Sequence, residues 1–166
     1  MKTVYFDSSA YVKLFAPEPG SDIADLLFRL AHLKRIQIWM SYWTINETSA
    51  AIDRKHRRRE ISNEEYDIIS ATIIKNLIYY ADEDSNVGLV SLDDIILKNS
   101  IDVIINYHVS ADDALHLYTA FFMKCDYFLC HDDKLVNRTN KEISNMKVLS
   151  ITDAAAMLTL MKEFEQ

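Results

Sequence analysis

Short apolar runs that end in a polar residue and give way at once to a helical stripe constrain this chain more than anything else in its sequence. The run 3–6 ends at Asp7, and apolar residues then fall at Tyr11, Val12, Leu14 and Phe15, which is helical spacing over 8–15. Further short runs, expected as strands, lie at 36–41, 88–90, 127–129 and 147–150. Helical patterns fill the intervals, at about 21–33, 44–58, 62–80, 91–106, 110–123, 132–140 and 152–164. Strands alternating with helices predict an α/β fold in which a short-stranded parallel sheet is flanked by helices on both faces. The strands are apolar throughout, as a sheet covered on both sides requires.

In such sheets functional sites gather beyond the carboxyl ends of the strands. Asp7 follows the first strand, Asp132 follows the 127–129 strand, and Glu47 lies one turn past the second strand. Each acid also has a local explanation. Asp7 and Asp132 can cap the helices that follow them. Thr44-x-x-Glu47 and Ser110-x-x-Asp113 have the form of capping boxes, as do Ser62-x-x-Glu65 and Ser91-x-x-Asp94. Cap and ligand are compatible roles. A helix N-terminus favours an ionised carboxylate, which is the state in which oxygen binds a hard cation.

Composition narrows the function classes. Two glycines and two prolines leave few breakers, so helices should dominate, with Pro17, Pro19 and Gly20 marking one turn. Residues 1–166 are expected to form one domain. The net charge of −7 disfavours a protein drawn to nucleic acid by its whole surface, and leaves room for a local basic patch. That patch is Arg54-Lys55-His56-Arg57-Arg58-Arg59, with Arg54 and Arg58 on the helix face of Glu47. Cys125 and Cys130 are too few and wrongly spaced for zinc, and are expected to be buried thiols. No apolar run is long enough to span a bilayer, and the acid at position 7 is unlike a signal peptide, so a cytoplasmic location is expected.

The stretch Val4-Tyr5-Phe6-Asp7-Ser8-Ser9-Ala10 resembles the opening of PIN-domain nucleases, a hydrophobic strand followed by Asp-x-Ser-Ala. Asn46-Glu47 resembles the second acid of that family by position. Asp113-Ala114-Leu115-His116-Leu117-Tyr118-Thr119-Ala120 resembles its Asp-Ala-Leu-His-Leu-Ala-x-Ala segment, and Phe128-Leu129-Cys130-His131-Asp132 its strand leading to the fourth acid. Cys130 departs from the hydroxyl residue usual there. Asp112 and Asp133 adjoin Asp113 and Asp132 and are alternative ligands. In length the chain resembles VapC-type toxins of toxin–antitoxin pairs.

The resemblance implies a PIN-like three-layer α/β/α fold and a Mg²⁺-dependent endoribonuclease, with Mn²⁺ able to substitute, usually a homodimer held inactive by an antitoxin. Asp7, Glu47, Asp113 and Asp132 are then the catalytic and metal-holding residues. A set of carboxylates without His or Cys suits these ions over zinc. Ser9 is expected to support a ligand water or the phosphate, and Arg54 and Arg58 to contact RNA. His116 is expected to pack or hydrogen-bond, His131 to sit on a loop, and Lys13 to be a helix-surface charge. Two other enzyme classes fit worse: an aspartyl-phosphate phosphatase needs an Asp where Ser9 stands, and no phosphate-binding glycine loop is present. A catalytically weak PIN-like domain acting through protein partners is the alternative.

Overall fold

The computed structural model describes residues 1–80, 85–139 and 141–164. Strand β1 (Lys2–Phe6) leads into α1 (Ser8–Tyr11), which tightens into a 3-10 turn at Val12–Leu14. Helix α2 (Ser21–His32), strand β2 (Ile36–Ser41), helices α3 (Tyr42–Arg57) and α4 (Asn63–Tyr80) and strand β3 (Val87–Val90) follow. Helices α5 (Asp94–Tyr107) and α6 (Ala111–Phe122) precede β4 (Tyr127–Cys130) and α7 (Asp133–Arg138). Strands β5 (Glu142–Ile143) and β6 (Met146–Ser150) and helix α8 (Ala154–Phe164) end the chain's described part.

The sheet order is β3-β2-β1-β4-β6-β5, parallel except where β5 turns back on β6. Strand β1 therefore lies inside the sheet, between β2 and β4, with Val4 level with Ile38 on one side and Tyr127 on the other. Side chains alternate between two apolar layers, as the strand repeat demands. Val4 and Phe6, Ile38 and Met40, and Tyr127 and Leu129 face α1 to α4 and α8. Tyr5, Phe128, Cys130 and Val148 face α5, α6 and α7. This is the expected three-layer arrangement. Gly88 on β3 leaves room for the ring of Trp39 on β2, whose atoms a Cβ would meet at 2.2 Å.

Local chemistry departs from expectation in several places. The stripe 8–15 is not one α-helix, because the chain overwinds at Val12. Ser41, not Thr44, caps α3: its hydroxyl accepts the Thr44 N–H, and the Thr44 hydroxyl accepts the Ser41 N–H. Glu47 is thus released from capping. Asp93 caps α5 through the N–H groups of Ile95 and Ile96, in place of a Ser91 box. Gly20, at φ 92°, precedes α2, and Ser21 turns its hydroxyl to the Glu18 N–H. The box at Ser62–Glu65 forms, whereas at Ser110 only half of one does: its hydroxyl accepts the Asp113 N–H, and the Asp113 carboxylate accepts that hydroxyl instead of the Ser110 N–H. The two-residue strand β5 is too short to leave a periodic signal. Asn140, the expected end of the helix after Asp132, lies outside the described residues. Among the described residues no helix is long and apolar enough to cross a membrane.

Candidate active site

The carboxyl ends of β1, β2 and β4 open on one side of the sheet, and the candidate acids stand around them. Asp7 is 6% exposed. It caps α1 by accepting the Ala10 N–H at 2.8 Å, and it accepts the Ser9 hydroxyl at 2.8 and 3.0 Å. Burial raises its pKa to about 6; the imidazole of His116 and the bonds from Ala10 and Ser9 pull the other way, and Asp113 adds to the rise. The cap therefore does not hold Asp7 fully ionised, as expected of a helix N-terminus. A helix of four residues has little dipole to offer, and desolvation outweighs it.

Glu47 projects from the second turn of α3 with its side chain 25% exposed, and accepts a 2.7 Å bond from His116 Nε2. His116, buried on α6, is held at its other nitrogen by Tyr5 Oη at 2.9 Å. Burial pushes the Tyr5 phenol far above its ordinary range, so it keeps its proton and can donate to Nδ1, leaving the Nε2 hydrogen for Glu47. Burial acts against charge on Glu47, but His116, with Ser8 and Trp43, outweighs it and holds the carboxyl below its usual range. His116 thus hydrogen-bonds as expected, and it ties α6, which carries Asp113, to α3.

Asp113 is half-buried in the first turn of α6, its carboxylate accepting the Ser110 hydroxyl at 2.7 Å; Asp112 beside it is exposed. Asp132 is exposed and caps α7 through the N–H groups of Lys134 and Leu135, with Asp133 beginning that helix. Ser9 joins this turn to β1, since its oxygen accepts the His131 N–H at 2.7 Å while its hydrogen goes to Asp7. Cys130, in place of the usual hydroxyl, is wholly buried. Burial, then the fields of Asp7, Asp132 and Asp113, push its thiol far up, and burial likewise raises Cys125. Both are free and buried, as expected.

A cavity of about 350 Å³ opens beside Glu47, lined by Ser8, Ser9, Arg54, Lys55, His131 and Glu18 among others. Arg54 faces it. Arg58 does not line it; its side chain is 72% exposed and leans toward Glu60 at 3.9 Å. The expected surface charge Lys13 is in fact 2% exposed. The sequence signal was available: apolar residues at 11, 12, 14 and 15 surround position 13 and leave it no wet face.

The donor chemistry suits a hard divalent cation. Asp7 carries a desolvated carboxylate whose described contacts are hydrogen-bond donors rather than a lysine or arginine, and Asp113 is near enough to add to its rise. Among the described residues, no three His, Cys, Asp or Glu side chains are gathered into one ligand cluster.

No family model and no curated protein matches the sequence. Solved structures do match the fold. PAE2754 from Pyrobaculum aerophilum is 13% identical with a TM-score of 0.61, over 97% of this chain and 96% of that one. A toxin–antitoxin complex from Klebsiella pneumoniae is 14% identical with a TM-score of 0.58, over 89% and 97%. The sarcin–ricin loop cleaving toxin VapC20 of Mycobacterium tuberculosis is 11% identical with a TM-score of 0.58, over 87% and 98%. What is shared at such identities is architecture, and the chain has the PIN-domain fold of VapC-type toxins.

Proposed function

We propose that this protein is a metal-dependent endoribonuclease that hydrolyses RNA phosphodiester bonds, and the toxin of a toxin–antitoxin pair. The observation that carries the reading is Asp7: a buried carboxylate at the end of an interior parallel strand, whose charge feels Asp113 and His116, the residue that also bonds Glu47. Toxin–antitoxin complexes among the structures of like fold support the biological role and an antitoxin as partner. Exposed isoleucines on α4 (Ile74, Ile78) and α5 (Ile101, Ile105) are consistent with burial against that partner or a second copy of the chain. A cytoplasmic location accompanies this role.

In this reading Asp7, Glu47, Asp113 and Asp132 hold Mg²⁺ or Mn²⁺, directly or through water. The bound cation supplies charge neutralisation and Lewis-acid polarisation at the phosphate. Glu47, oriented by His116 and held ionised, accepts a proton from the attacking water. Ser9 fixes the Asp7 carboxylate, and Arg54 faces the incoming strand from the cavity wall.

The test is incubation of structured and single-stranded RNA with purified protein in Mg²⁺, in Mn²⁺ and in EDTA. Cleavage in the first two and none in EDTA is expected. Intact RNA in all three, with a folded protein, would overturn the proposal.

A further inference from the structure

Lys13 is the charged group that the proposed mechanism leaves unused. Its ammonium, buried at the side of the candidate site, meets two partners: Glu18 Oε2 at 3.5 Å and His131 Nδ1 at 3.3 Å. Glu18 turns its other oxygen to Lys55 Nζ at 2.6 Å. One carboxylate therefore bridges two ammonium groups carried by different elements, the 3-10 turn after α1 and the last turn of α3. The bond from Lys55, with lesser help from Lys13, holds Glu18 below its usual range, so the bridge is ionic. Lys55 also meets Glu60 Oε2 at 3.8 Å, and Glu47 lines the same cavity wall as Arg54, so these cations are matched by carboxylates and gain a positive excess only when Glu18 is displaced.

The imidazole is part of the arrangement. An ammonium can only donate, so Nδ1 of His131 accepts and Nε2 carries the ring hydrogen. Lys13 thereby makes His131, which lines the cavity, a hydrogen-bond donor. Ser8 and Ser9 add hydroxyls. Ammonium groups, an arginine, an imidazole N–H and hydroxyls are the groups that bind phosphate oxygens.

We propose that Lys13, Lys55 and His131 form a subsite for a phosphate of the RNA strand neighbouring the one cleaved, and that Glu18 occupies it in the free protein as an internal counter-ion that the phosphate displaces. The proposal rests on the nuclease reading and deepens it. It explains why a lysine is buried beside an acid-rich site: it is held for an anion that arrives with the substrate.

The consequence has opposite signs for the two kinds of residue. Binding of a fluorescein-labelled, mixed-sequence single-stranded RNA is followed by anisotropy across a salt series, with Mg²⁺ and in the Asp7→Asn background so that the strand stays intact. Lys55→Met should weaken binding several-fold and lower the slope of log K against log salt by about 0.7, the value for one phosphate contact on a single strand. Glu18→Gln should tighten binding several-fold. Asp94→Asn, the same change of charge at an exposed position on α5, should leave it unchanged. Lys13→Met should follow Lys55→Met; where it fails to fold, the Lys55 and Glu18 variants decide. Equal affinity for Glu18→Gln and its background, or a gain matched by Asp94→Asn, would remove the subsite while leaving the nuclease standing. Only wild-type protein that leaves RNA intact in Mg²⁺ and Mn²⁺ would remove both.

Discussion

Asp7 and Asp132 occupy the same local niche and end in opposite environments. Each follows one of two adjacent parallel strands, β1 and β4, and each caps the helix that comes next. Asp7 is buried beneath Ser9 and pushed up to about 6, whereas Asp132 stands in solvent. Capping alone therefore explains Asp132, whose bonds to Lys134 and Leu135 suffice for an exposed acid. It does not explain Asp7, because a serine or asparagine would cap at far lower desolvation cost. A carboxylate kept where its charge is penalised is the stronger functional candidate.

The largest test of this contrast is catalytic. Asp7→Asn should lower RNA cleavage by at least ~100-fold, the scale of losing a principal electrostatic contact. Asp132→Asn should cost roughly tenfold, as expected of a group acting from outside the first ring of ligands. Equal losses would erase the distinction. Stability comes next, and its signs differ. In EDTA at neutral pH, Asp7→Asn should raise the unfolding free energy by about 1–3 kcal/mol, following from a pKa lifted from 3.8 to about 6. Asp132→Ala should lower it by ~1 kcal/mol through the lost cap. Denaturant melts would measure both, and a destabilised Asp7→Asn protein would show that the buried charge is compensated.

The pH dependence is a finer probe of the same group. The folded protein holds the Asp7 proton up to about pH 6, and the unfolded chain releases it near the ordinary aspartate value of 3.8. The destabilising contribution is thus full above about pH 6 and fades as pH falls toward 4. The stability gap between wild type and Asp7→Asn should narrow over that window in metal-free melts; a constant gap would place the titration elsewhere. The smallest effect extends the buried–exposed contrast along α3. Arg54→Ala should weaken RNA binding a few-fold and flatten its salt dependence, while Arg58→Ala, outside the cavity, should change neither beyond error.

Much of the architecture was legible because buried parallel strands and amphipathic helices leave periodic signals. The succession of strands and helices, the interior thiols and the placement of acids at strand ends all follow from pattern. What escaped depends on contacts between distant segments. The cap of α3 escaped, since Thr44-x-x-Glu47 fits the local rule and Glu47 is freed only because Ser41, at the end of β2, takes the role. The link Tyr5–His116–Glu47 joins residues far apart in sequence, and periodicity says nothing of it. Lys13 escaped because a lysine is ordinarily solvated and its burial here depends on a partner; five positions on, Glu18 completes a pair that sequence spacing does not announce.

The hydroxyl of Ser9 has a mechanical consequence. The main-chain ladder between β1 and β4 pairs Phe6 with Leu129, and its last rung is the Asp7 N–H on the Leu129 carbonyl. Ser9 then supplies one rung more, made by a side chain, when its oxygen takes the His131 N–H. The sheet is in effect extended by a serine just where its strands part to make room for chemistry. Replacing Ser9 by alanine would shorten that seam as well as remove a donor from Asp7, whereas threonine keeps the rung. The spacing between the first acid and the fourth is set by a crossbar of one oxygen atom.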